Sequence, residues 1–117
     1  MIKGVVSDDG VPLIELEVSG QTWTAMIDSG FNGDLELPIQ LKPILQGQFV
    51  GRMKSSLAAG QEIEEDVFLV RFPFDGQLVR AQATFASVSS ILIGTRLMKR
   101  HRLTIDFPQK NVLLERV

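Results

Sequence analysis

Nine consecutive residues, Ala25-Met26-Ile27-Asp28-Ser29-Gly30-Phe31-Asn32-Gly33, constrain the fold more than any other stretch of the chain. A β-compatible apolar run, Ala25 to Ile27, ends on the carboxylate of Asp28, which has no basic neighbour in sequence to neutralise it. Gly30 and Gly33 offer backbone angles that other residues adopt only at a cost. Leu35-Glu36-Leu37-Pro38 then resumes an extended alternation. The chain must therefore enter this stretch as a strand, turn tightly, and leave as a strand, with Asp28 pointing out of the turn. Any chemistry is expected to centre on Asp28.

The flanking sequence is read as strands and turns. Ile14-Glu15-Leu16-Glu17-Val18 alternates strictly, which predicts a half-buried strand. Ser19-Gly20-Gln21 supplies a turn, and Thr22 to Ile27 completes a hairpin that feeds Asp28. Ile2 to Val6 is expected to be an outer or dimer-contact strand, bounded by the turn residues Asp8-Asp9-Gly10 and Pro12. Ile39 to Gln48, punctuated by Pro38 and Pro43, reads as loop with one turn of helix. Phe49 to Leu57 and Glu62 to Phe72 are expected to be extended around a tip of small residues, Ala58-Ala59-Gly60-Gln61. Asp75-Gly76 between two β-rich runs is a hairpin signal. Thr95 to Arg102 reads as the one helix near the C-terminus, with Thr95 as its cap and Lys99, Arg100 and Arg102 towards its end, where cations favour the helix dipole. Leu103 to Phe107 and Asn111 to Glu115 close the chain as strands around Pro108-Gln109-Lys110.

The 117 residues fit a single domain, 1–117. By surface scaling, such a chain buries roughly two-thirds of its unfolded surface. A formal net charge of −2 argues against a nucleic-acid binder, which needs a basic face to neutralise phosphates. The absence of cysteine excludes a disulfide, a thiol nucleophile and a cysteine-ligated zinc. No stretch approaches the ~20 apolar residues of a membrane span, and the N-terminal residues lack a signal-peptide core. The expectation is a cytoplasmic protein that engages neither membrane nor nucleic acid.

Ile27-Asp28-Ser29-Gly30, continued by Leu37-Pro38, resembles the apolar-Asp-Thr/Ser-Gly signature of aspartic peptidases in their single-domain, retropepsin-like branch (clan AA), of the small bacterial and archaeal type. A second segment carries the resemblance further. Ser90-Ile91-Leu92-Ile93-Gly94 is similar to the apolar strand that passes beneath the catalytic loop in that family, and Thr95 to Phe107 follows in the family's order and spacing. The resemblance implies an all-β acid-protease fold, a closed β-barrel with one short C-terminal helix, assembled as a homodimer. It implies that Asp28 is catalytic, that Ser29 and Gly30 organise the loop, and that Ala58, Ala59 and Gly60 form a flap over a peptide or protein substrate. It also implies a dimer sheet built from the terminal strands, Ile2 to Val6 and Asn111 to Val117, and no metal or organic cofactor. Phe31 departs from the viral pattern, standing where a small residue usually follows the motif glycine, and would line or narrow the cleft. The chain has no Tyr, which excludes a tyrosine-based flap contact of the kind seen in larger relatives.

Amide hydrolysis by carboxyl groups needs two of them close together, one ionised and one protonated, because like charges at that distance cannot both ionise. The chain has one copy of the motif, so the second carboxylate must come from a second copy of the chain. Other acids make weaker candidates: Asp8-Asp9-Gly10 lacks the apolar lead-in, Asp75 sits at a hairpin tip, and Asp106 lies within a strand. Ser29 with His101 as base would need a nucleophile elbow that is absent, and His101 among Lys99, Arg100 and Arg102 is expected at the surface. A calcium loop starting at Asp28 fails at its third and twelfth positions, Gly30 and Ile39. Glu62, Glu64, Glu65 and Asp66 read as a solvated strand face. The alternative to a peptidase is a non-catalytic dimeric module that keeps the fold to bind a peptide or protein.

Overall fold

The computed structural model describes residues 1–56 and 58–117, Ala58 by its backbone alone. Ten strands form it: β1 (Ile2–Val6), β2 (Pro12–Val18), β3 (Gln21–Ile27), β4 (Leu35–Pro38), β5 (Gln48–Ser56), β6 (Glu62–Phe74), β7 (Gln77–Ala86), β8 (Ile91–Ile93), β9 (His101–Asp106) and β10 (Asn111–Arg116). They make one sheet in the order β5-β6-β7-β4-β8-β3-β2-β1-β10-β9. The predicted end of β5 at Leu57 lies outside the described residues.

Alternation in the sequence becomes burial in the fold. Ile14, Leu16 and Val18 of β2 are buried while Glu15 and Glu17 face solvent, and in β3 Ala25 and Ile27 are buried. Leu35 and Leu37 of β4, Ile91 and Ile93 of β8, and Phe72 and Phe74 of β6 complete the centre of the core. Two hairpins turn through paired positive φ angles, Ser19-Gly20 (52° and 80°) and Asp75-Gly76 (50° and 76°). That pairing matches the right-handed twist of the strands it joins.

Two expectations are corrected. The barrel does not close, because β5 and β9 stand at opposite ends of the sheet and do not pair. Every position of β5 is at least partly exposed, so it has no inner face to bury against a closing partner. The helix expected over Thr95 to Arg102 is absent. Met98 N–H bonds to Thr95 O (3.1 Å) and His101 N–H to Met98 O (2.8 Å), two successive turns, after which the chain is extended from His101. Pairing of His101 with Arg116 on β10 fixes the strand start and leaves too few residues for a stable helix. The helical turn falls instead in the Ile39 to Gln48 segment, where a 3₁₀ turn (Ile39–Leu41) runs into α1 (Lys42–Leu45) and ends on the left-handed Gln46 (φ 49°). Within one copy β10 lies between β1 and β9, and β1 pairs with β10 from Ile2 to Val5 but with β2 only at Val5 and Val6.

β6 is 13 residues long, but β7 pairs with it only from Phe68 to Phe74. Glu62 to Val67 pair with β5 alone, giving a two-stranded ribbon that projects from the sheet edge. Arg52 joins Glu64 (3.2 Å) and Asp66 (3.0 Å) on one face of it. These groups are half exposed, so each such pair contributes at most about 1 kcal/mol. Among the described residues no helix is long and apolar enough to cross a membrane.

Candidate functional site

Asp28 is delivered by parallel pairing of β3 with β8, in the register Ala25↔Ile91, Met26↔Leu92 and Ile27↔Ile93. The ladder continues one step further, with Asp28 N–H bonded to Ile93 O at 3.0 Å. Asp28 is thus the last residue held in strand geometry, and its half-buried side chain emerges where the chain turns. Its Oδ1 accepts the Gly30 N–H at 2.9 Å, and its carbonyl accepts the Phe31 N–H at 3.1 Å. Backbone donors therefore fix both the loop and the orientation of the carboxylate.

The second half of the loop is clamped from below by the residues after β8. Gly94 N–H bonds to Asp34 O (3.0 Å), Thr95 N–H to Phe31 O (2.8 Å), and Arg96 N–H to Gly33 O (3.2 Å). The Thr95 hydroxyl reaches the same Phe31 carbonyl at 3.4 Å. A methyl group at position 94 would collide with the Gly33 carbonyl oxygen and lie 2.8 Å from that of Phe31, so only glycine allows the two segments to meet.

Gly30 and Gly33 are needed for space and not for left-handed angles, since neither has a positive φ. A Cβ on Gly33 would sit 2.7 Å from two carbons of the Phe31 ring, and one on Gly30 would sit 3.3 Å from Asp28 Oδ1. The Phe31 ring thus folds back over Gly33, half-buried. Ser29 is exposed, and among the described residues its hydroxyl has no hydrogen-bond partner. Ala59 (φ 69°) and Gly60 (φ 76°) form the tip of the ribbon, with the Ala58 backbone in the same turn. Among the described residues no hydrogen bond joins that tip to the Asp28 loop. The fold thus gathers Asp28, Ser29, Gly30 and Phe31 in one loop and places Ala58 to Gly60 on a separate projection.

Several polar residues that sequence reasoning passed over support the loop. Asp34 is buried; its Oδ2 accepts the Gln82 N–H of β7 at 2.9 Å, and its Oδ1 lies 3.9 Å from Arg96 Nε. It ties the loop to a strand 48 residues away in sequence. The one local signal was an acid placed between Gly33 and the apolar Leu35, where a strand begins. Glu36 is half-buried on β4, and burial, then the nearby Glu65 carboxylate, push its pKa up.

A second polar cluster lies elsewhere. The His101 side chain is only 4% exposed, which corrects the surface position expected for it. As the first residue of β9 it packs edge-on against Phe74, with centroids 5.2 Å apart, and its Nε2 is 3.1 Å from Asp75 Oδ2. Asp75 also receives the Met1 ammonium and lies near Arg116. The ammonium hydrogen bond is the chief cause of the lowered Asp75 pKa; burial opposes it and His101 reinforces it. Asp8 pairs with Lys110, and Asp106 caps the Gln109 N–H, so these acids are engaged away from Asp28. Among the described residues no group of three or more His, Asp or Glu is arranged to hold a metal ion.

This arrangement defines the retropepsin-like fold. The crystal structure of a retropepsin-like aspartic protease from Rickettsia conorii superposes with a TM-score of 0.71 over 98% of this chain and 89% of that one, at 17% identity. The solution structure of the Simian Foamy Virus (mac) protease gives 0.58 over 74% of this chain and 91% of that one, at 22% identity. A foamy viral protease-reverse transcriptase in complex with an RNA/DNA hybrid gives 0.63 over 80% of this chain but 13% of that longer one, at 14% identity. No protein-family model matches the chain, and no curated protein matches it.

Proposed function

We propose that this chain, 1–117 acting as one domain, is an aspartic endopeptidase that works as a homodimer in the cytoplasm. Asp28 of each copy supplies one carboxyl group of a shared dyad. The ionised member takes a proton from water while the protonated member donates to the carbonyl oxygen of the peptide bond, and the tetrahedral intermediate then collapses with release of the amine. Water is the nucleophile, and the proposal requires neither metal nor organic cofactor. Ser29 and Gly30 organise the loop, Phe31 lines the cleft, and the Ala58 to Gly60 tip closes over an extended peptide.

One observation carries the reading. Asp28 is half exposed at the end of a strand ladder, its carboxylate oriented by the Gly30 N–H, in a fold shared with proteins described as aspartic proteases. A general acid–base needs such fixed orientation together with access to substrate. The test is mass-spectrometric cleavage of a diverse peptide library by wild type and Asp28→Asn, from about pH 4 to pH 7, where carboxylate dyads are commonly half-protonated. Cleavage by wild type alone is the expected result. Equal cleavage by both proteins removes Asp28 from the chemistry, and retained peptide affinity with no cleavage by either identifies a binding module.

A further inference from the structure

The strand register places one carboxylate beside Asp28 that the proposed reaction does not use. Met26 of β3 pairs with Leu92 of β8, and Leu92 pairs with Glu36 of β4, so the three form one row across the sheet. Their neighbours Ile27, Ile93, Leu35 and Leu37 point into the core, so the row faces the other way. Asp28 lies two residues beyond Met26, still in ladder geometry, and emerges on that same face. Adjacent strands are ~4.8 Å apart and residues rise ~3.4 Å along each, which puts the Glu36 backbone about 12 Å from that of Asp28. An extended substrate with its reacting bond at Asp28 therefore passes Glu36 within two or three residues.

Beyond β4 the same face of the sheet runs through β7 to the projecting ribbon. Glu36 pairs with Thr84 of β7, and Glu65 of the ribbon is close enough to act on the Glu36 charge. Alternation separates the two faces of the ribbon. Glu64 and Asp66 are bound by Arg52, whereas Glu65 points the other way and, like Glu36, has no ion-pair partner among the described residues. Met26 is exposed at the far end of the row, and Met53 pairs with Glu65 across the ribbon and is also exposed. Two half-buried carboxylates without an ion-pair partner among the described residues, with apolar side chains around them, match the side chain of lysine or arginine: an apolar stem ending in a positive head.

We propose that Glu36, assisted by Glu65, makes the cleft select peptides carrying a lysine or arginine two or three residues from the bond at Asp28. The selection rests on the peptidase reading, in that the bond at Asp28 sets its register. A substrate cation replaces the counter-charge that the protein withholds from Glu36, so discrimination is against neutral side chains of equal length and most strongly against acidic ones.

Matched peptides carrying lysine or norleucine, which differ in the ammonium group, test this in two ways. Cleavage by wild type reads kcat/KM for each peptide, and binding to Asp28→Asn reads affinity without cleavage. The lysine peptide is expected to be favoured about tenfold or more in both assays, since a tenfold ratio is what one modest charge contact supplies. In Glu36→Gln the lysine-to-norleucine ratio should fall towards one, in Glu65→Gln it should fall by less, and Glu36→Lys should favour a glutamate peptide. Equal handling of lysine and norleucine by wild type, or a ratio unchanged in Glu36→Gln, overturns the assignment of Glu36. Preferential binding of the lysine peptide by Asp28→Asn, with no cleavage by wild type, upholds Glu36 and overturns the peptidase reading alone. The wild-type ratio needs no variant, so an unstable substitution does not rescue a failed result.

Discussion

Two carboxylates illustrate opposite ways in which a side chain makes stability depend on pH. Asp75 is buried against His101 and the Met1 ammonium, and its pKa is lowered, chiefly by the hydrogen bond from that ammonium. The folded state therefore binds the Asp75 proton less readily than the unfolded chain, so its stabilisation is present above the usual aspartate range and is lost as pH falls through the lower folded value. Asp75→Asn should cost about 1–3 kcal/mol at neutral pH, because it removes the carboxylate that accepts from the Met1 ammonium and pairs with His101 Nε2. The loss should shrink as pH falls below about 4, where Asp75 of the unfolded chain takes up a proton that the folded state still refuses. Glu36 behaves the other way. Burial and Glu65 push its pKa up, so in the interval above the ordinary glutamate value the folded state holds the extra proton and stability falls as pH rises. Glu36→Gln should flatten urea-unfolding stability between about pH 4 and pH 7 and leave the variant the more stable of the two at the upper end. Legibility differed in kind at these residues. The turn at Asp28 was readable because its support, Gly30, is two positions away, whereas Asp75 and His101 are 26 apart and meet only through the topology.

Elements were readable where local pattern and tertiary need agreed. The alternation of β2 and the Asp75-Gly76 turn were legible because a half-buried strand and a twisted hairpin impose those patterns directly. The stretch from Thr95 to Arg100 was misread for the complementary reason. A threonine followed by apolar and then basic residues suits a helix, but His101 is committed to pairing with Arg116 on β10, which leaves too few residues for one. That commitment is long-range and leaves no mark on local composition. Just before this stretch, Gly94 has a measurable role. In Gly94→Ala the new methyl meets two backbone carbonyl oxygens, neither of which can move without displacing the Asp28 loop. Overpacking of this kind costs roughly 2–3 kcal/mol. Gly33→Ala meets only the swingable Phe31 ring and should cost less. Denaturant unfolding of the two variants should show that order, and the reverse order would mean that the Gly94 clamp does not hold the loop.

At the scale of the molecule, the end-to-end order of the sheet was the least legible feature, since strand neighbours such as β4 with β7 and β8 bring together segments far apart in sequence. The open sheet also changes how a dimer can form. The outer edges of the sheet are those of β5 and β9, and β1 pairs on one side alone from Ile2 to Gly4, so strand addition has these edges to use and any other interface is made by faces or loops. One requirement survives whichever surface is used: a dyad with one Asp28 per chain works only when both copies carry it. Wild type mixed with Asp28→Asn and allowed to exchange should lose activity per wild-type chain in proportion to the wild-type fraction, to about one half at equal amounts and about one tenth at ninefold excess. The variant keeps its loop hydrogen bonds to the backbone, so it should enter mixed dimers freely. Cleavage rates across a mixing series, with sedimentation at the same concentrations to confirm association, give the measurement. A rate per wild-type chain that ignores the variant while mixed dimers form would show that one carboxylate suffices, and the water would then need a base other than a second Asp28.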